Sequence, residues 1–104
     1  MTSPNELSVT RFIAAPPARV WDVLANRQGE WWCPTPWRAE LLVQEKRAGG
    51  RCQMVMRGPE GEEMPSEGIY LAWDEGRRIV STDALTGDFE PAGPFMVGIW
   101  EIAP

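Results

Sequence analysis

The chain has 104 residues, of which 43% are hydrophobic, and this composition favours a single globular domain over a disordered chain. Its net charge is −5 and its ten basic residues are scattered, which argues against binding to nucleic-acid phosphates. The chain has no histidine and its two cysteines, Cys33 and Cys52, are far apart, so we predict no metal site, no cofactor and no histidine-based catalysis.

The N-terminus has neither the basic start nor the apolar run of a signal peptide, and no apolar run is long enough for a membrane span. We therefore expect a cytoplasmic protein without a membrane span.

Residues 6–14 alternate, with Leu7, Val9 and Ile13 on one side, which predicts a strand. Two prolines follow, and apolar side chains then recur at helical spacing, which predicts a helix over residues 17–25.

The segment 29–37, GEWWCPTPW, places three tryptophans and two prolines in nine positions. A short helical turn through Trp31 and Trp32 is compatible with it, but the prolines exclude the interior of a helix. The rest of the chain predicts five strands joined by turns and one loop. Their ranges are 38–46, 51–57, 62–73, 77–84 and 94–103, with a bulged start to the third. Strands with segregated helices indicate an α+β domain with an antiparallel sheet, over residues 1–104.

Two stretches carry a family resemblance. VTRFIAAPPARVWDVLAN resembles the opening of the START-like (SRPBCC) superfamily, and GGRCQMVMRGPEGEEMPSEGIYLAWDEGRRIVST is more specific. The second is similar to the subgroup named for homology to the C-terminal domain of the activator of heat-shock protein ninety ATPase. The resemblance covers nearly the whole chain. It implies a helix-grip fold, in which a curled antiparallel sheet of about six strands here would enclose an apolar cavity.

The resemblance also implies a long C-terminal helix over the sheet, and this sequence departs from it because it ends at IWEIAP. An uncovered apolar sheet face would forfeit on the order of 10 kcal/mol, comparable to the stability of a whole domain. Large apolar patches are rare on monomers, so we expect a homo-oligomer that covers this face.

Aromatic and sulfur-containing side chains are the candidates for the wall of a ligand cavity, because small-molecule sites are concave and mostly apolar. Each also has an ordinary interpretation as core packing, and pairing of Cys33 with Cys52 stays open. The cavity candidates are Trp31, Trp32, Trp37, Cys52, Met54, Met56, Tyr70 and Trp100.

Three functions are compatible with these features. The first is a non-enzymatic START-like domain that binds an unknown apolar or amphipathic small molecule in its cavity. The second is a protein-interaction module of the co-chaperone kind, with a protein partner. The third is a cyclase- or hydratase-like enzyme, which would need an inward-facing acid or phenol from among Asp83, Glu101 and Tyr70.

Overall fold

A computed structural model of the chain describes residues 6–86, 89–92 and 96–103. Two short helices precede a five-stranded antiparallel sheet with the strand order β1-β2-β3-β4-β5. The elements are α1 (Pro17–Asn26), α2 (Gln28–Trp31), β1 (Arg38–Gln44), β2 (Arg51–Arg57), β3 (Glu63–Asp74), β4 (Arg78–Thr82) and β5 (Val97–Glu101). The α+β class and the curled antiparallel sheet are as predicted, and no helix follows β5 among the described residues.

Helix α1 begins where the sequence predicts, because Pro17 needs no amide donor in the first helical turn. It buries Trp21 and Ala25, which lie four residues apart and therefore on one helix face. Helix α2 follows after Arg27 and lies close to β1. A Cβ added at Gly29 would overlap the carbonyl oxygen of Ala39, so only glycine allows this approach.

Strand alternation gives the sheet two chemically different faces. On β2, Cys52, Met54 and Met56 share the side that carries the helices, which we call the helix-side face. Arg51, Gln53, Val55 and Arg57 share the opposite side, which we call the outer face. The main core lies between the helix-side face and α1, and consists of Trp21, Ala25, Cys52, Met54, Tyr70 and Ile79.

The predicted strand at residues 6–14 is wrong, and the sheet accordingly has five strands rather than about six. A strand requires a neighbour for its backbone groups, and residues 6–14 pair with no described strand. Leu7 and Phe12 are 90% and 94% exposed there. The homo-oligomer expected through the uncovered sheet face stays a prediction, which a measurement of mass in solution would test.

The irregularity of the third predicted strand lies elsewhere than expected. Pro65 pairs with Val55 in regular register, whereas the register of β3 shifts between Tyr70 and Ala72. Strand β4 begins to pair with β3 only at Ile69. Pro65 therefore has a neighbour on one side only, where a missing amide donor costs little.

Candidate functional site

A cavity of about 470 Å³ lies on the helix-side face, between α2 and the strands β2 to β5. Its size is within the usual range for small-molecule sites, roughly 300 to 1,000 Å³. The residues that line it are Trp31, Trp32, Cys52, Met54, Ser66, Glu67, Gly68, Ile69, Ser81, Thr82, Asp83, Met96, Val97, Gly98 and Trp100.

Three tryptophans form one wall of this cavity. Ring centroids are 5.8 Å apart for Trp31 and Trp32, 5.6 Å for Trp31 and Trp100, and 5.5 Å for Trp32 and Trp100. The Trp31 indole donates a hydrogen bond of 2.9 Å to the carbonyl of Val23 in α1. Packing and this bond therefore fix the wall relative to the helix, while the tilted rings present apolar surface to the cavity.

The floor of the cavity is made of small side chains. Ser66 and Gly68 of β3 lie on the helix-side face because they pair with Met54 and Cys52. Ser81 of β4 pairs with Gly98 of β5 on the same face. A Cβ added at Gly98 would overlap the ring of Trp100, so glycine lets that indole lie across the strand. The cavity exists because these positions carry little volume.

The end of the cavity away from the tryptophans is polar. The Asp83 carboxylate accepts a hydrogen bond of 2.7 Å at Oδ1 from the amide of Met96. The Asp83 amide in turn donates to the Met96 carbonyl at 3.3 Å. The Thr82 hydroxyl also donates to that carbonyl, at 2.6 Å. These bonds join the end of β4 to the residue that precedes β5, and they fix the position of the carboxylate.

A buried hydrogen-bond network adjoins the cavity where α2 meets the sheet. The Tyr70 hydroxyl donates to Gln28 Oε1 at 3.0 Å, and Gln44 Nε2 lies 3.1 Å from both of those oxygens and from the carbonyl of Ala25. Burial raises the pKa of Tyr70 well above its ordinary value, with further contributions from neighbouring Cys52. Burial likewise raises the pKa of the Cys52 thiol. Both groups are therefore neutral near pH 7.

A carboxylate attaches α1 to the turn between β3 and β4. Glu75 accepts the indole N–H of Trp21 at 2.9 Å and that of Trp73 at 2.8 Å, one on each oxygen. These two hydrogen bonds lower the pKa of Glu75, and the bond from Trp73 makes the larger contribution. The two rings meet edge to face at 5.8 Å. This clamp holds the helix layer on the sheet, at the opposite end of the core from the cavity's polar end.

A second concavity of about 680 Å³ lies on the outer face, lined by Val43, Glu45, Arg47, Gly49, Arg51, Gln53 and Phe89. Its lining is largely charged or polar, and Arg47 pairs with Glu45 at 3.5 Å. An apolar ligand would find fewer partners there than in the cavity on the helix-side face.

Comparison with known proteins identifies the family. A family model described as Activator of Hsp90 ATPase homolog 1-like protein matches residues 14–104. The chain belongs to this family. The START-like resemblance seen in the sequence is thereby confirmed, and no curated protein sequence matches the chain.

Solved structures share the fold. Protein NE0264 from Nitrosomonas europaea is 33% identical with a TM-score of 0.79, and the match covers 90% of this chain and 62% of that one. Protein CV1439 from Chromobacterium violaceum is 25% identical with a TM-score of 0.71, over 90% and 65% of the two chains. Protein Ms6760 from Mycobacterium smegmatis is 27% identical with a TM-score of 0.65, over 88% and 59%. The chain thus spans about three fifths of the length of these relatives.

Five of the eight predicted cavity residues line the cavity on the helix-side face. They are Trp31, Trp32, Cys52, Met54 and Trp100. The remaining three do not line it. Trp37 lies against the turn at Gly58, Met56 packs on the core, and Tyr70 is fully buried in the hydrogen-bond network.

The three candidates for acid–base catalysis are not brought together. Asp83 lines the cavity and Tyr70 is buried beside it. Glu101 is exposed on the outer face, where it lies opposite Arg78 in the register of β4 and β5. The cysteines are free thiols, with Cys52 buried and Cys33 half-buried. Among the described residues, no group of three side chains could hold a metal ion, and neither helix is long and apolar enough to cross a membrane.

Sequence reasoning missed the residues that create the space. Ser66, Ser81 and Gly98 carry no obvious chemistry, and their importance lies in what they leave empty. Alternation on β4 could have indicated Ser81, because it shares a face with buried Ile79. Gln28 and Gln44 were missed too, since a buried glutamine pair has no sequence signature.

Proposed function

We propose that this domain binds an apolar or amphipathic small molecule in the cavity on the helix-side face. The observation that carries the proposal is the combination of a tryptophan wall with a floor of small residues, which leaves about 470 Å³ of space. An apolar ligand there would gain burial against Trp100 and Met54, at about 25 cal/mol per Å² of apolar surface.

Binding without chemistry fits the geometry better than catalysis. Asp83, Glu101 and Tyr70 occupy three different environments, so these three candidates do not face one another across the cavity. The raised pKa of Tyr70 makes its phenol a poor proton donor near pH 7. The cavity's few polar groups would instead orient a bound molecule, as is usual in ligand sites.

The test is titration with Nile red, an uncharged dye whose fluorescence rises in apolar surroundings. Ser81→Leu places a larger side chain on the floor and should reduce dye affinity about tenfold or more, since the filled space can no longer bury the apolar surface of the dye. Ile99→Phe is the control, because it enlarges a 57% exposed side chain on the outer face of the neighbouring strand. Equal dye affinity of the wild type and both variants would refute the proposal.

A further inference from the structure

The residues that line the cavity on strands β4 and β5 extend from an aromatic end to a polar end. Trp100 pairs with Ile79, Gly98 with Ser81, and Met96 is joined to Asp83 by hydrogen bonds. These pairs mark three successive levels on one face of the sheet. Each level advances two residues, or about 7 Å, so Trp100 and Asp83 stand about 13 Å apart along the strands. A molecule that spans this distance meets indole rings at one end and a carboxylate at the other.

The Asp83 carboxylate has capacity left for a ligand. Its Oδ1 accepts the Met96 amide, while none of the described residues donates a hydrogen bond to Oδ2. A carboxylate can accept several hydrogen bonds, so, as far as the described part of the chain extends, Oδ2 is left to a donor that enters the cavity. Glu67 also borders this space, but its Oε1 accepts from Gln53 at 3.2 Å, which places its side chain on the outer face.

No basic side chain among the described residues of the cavity balances this carboxylate. Four arginines lie within the strands, and alternation puts Arg38, Arg51, Arg57 and Arg78 all on the outer face. There Arg57, for example, pairs with Glu40 at 2.7 Å and Glu63 at 2.9 Å. The fifteen lining residues include no arginine or lysine. An anionic head group would therefore meet negative charge with no counter-ion.

We propose that the ligand is a cationic amphiphile, with a protonated amine that donates to Asp83 and an apolar body that lies against Trp100 and Met54. This inference rests on the proposed binding function and adds the charge of the ligand to it. Charge complementarity carries it: among the described residues that line the cavity, Asp83 offers a carboxylate oxygen to a donor and no side chain is basic. The chain's net charge of −5 favours the approach of such a ligand.

The experiment is displacement of Nile red by three molecules that share one alkyl chain: decylamine, decanol and decanoate. We expect decylamine to bind about tenfold more tightly than decanol, because a hydrogen bond between charged groups is stronger than a neutral one. Decanoate should bind most weakly. Equal affinity for amine and alcohol would overturn the charge assignment while leaving the binding function intact. Failure of all three to displace the dye would instead refute the binding function.

Two matched variants separate Asp83 from net charge. Asp83→Asn removes one charge but keeps the Oδ1 acceptor for the Met96 amide, and it should remove most of the preference for amine over alcohol. Glu101→Gln removes the same charge from the outer face and should keep the preference. If Asp83→Asn keeps the preference, or both variants lose it equally, Asp83 is not the site of the amine.

Discussion

Replacement of Gln44 by leucine should destabilise the domain by about 2 kcal/mol, out of a total of about 5 to 15 kcal/mol. Its amide nitrogen lies 3.1 Å from three acceptors, which join β1 to both helices and to β3. Tyr70 and Gln28 would keep the bond between them, at 3.0 Å. The Ala25 carbonyl, in the last turn of α1, would lose its donor, and an unsatisfied buried acceptor costs about 1 to 3 kcal/mol.

Thermal unfolding followed by circular dichroism measures this effect, and the expected loss corresponds to a melting temperature about 10 °C lower. Gln53→Leu is the matched control. It removes a single hydrogen bond of 3.2 Å to Glu67 on the outer face and should cost less than about 0.5 kcal/mol. Equal melting temperatures for the two variants would show that the buried network does not hold the helices on the sheet.

Two further predictions concern titratable groups. The folded state lowers the pKa of Glu75 from its usual value near 4.5, so its contribution to stability is present above that value and declines as the pH falls through the lowered one. Glu75→Gln should therefore lower the free energy of unfolding near pH 7 and make its decline at acid pH less steep. If chemical denaturation shows the same decline at acid pH for the variant and the wild type, the clamp is contradicted. Thiol labelling at about pH 8 should show a fast phase from Cys33 and a slow phase from Cys52, whose pKa burial raises. Cys33→Ser should remove the fast phase, and a fast Cys52 would contradict the burial.

The sequence predicts the helix and most of the strands because their patterns are local. Pro17 suits the first turn of a helix, where no amide donor is needed, and the alternation of Cys52, Met54 and Met56 places all three on one face of a strand. Residues 6–14 show the limit of that reasoning. Their side chains alternate as in a strand, but a strand also needs a neighbouring strand for its backbone hydrogen bonds. A local sequence pattern does not show whether such a neighbour exists.

The candidate site could be predicted only in its bulky residues. Trp31 and Trp100 are far apart in the chain, but tryptophans are easily recognised in a sequence as candidates for the wall of an apolar cavity. The space itself comes from Ser81 and Gly98, which face it because of the pairing register. Tyr70 illustrates the opposite error, because its hydroxyl meets Gln28 across the core rather than a ligand.

The measurement that tests the central claim most directly is an NMR titration of the six tryptophan indole N–H groups with decanol. Binding in the cavity should shift the indole signals of Trp31, Trp32 and Trp100, which line it. The signals of Trp21 and Trp73, held by Glu75, and that of Trp37 should stay in place. Shifts confined to those last three, or no shifts at saturating decanol, would contradict the assignment of the cavity as a binding site.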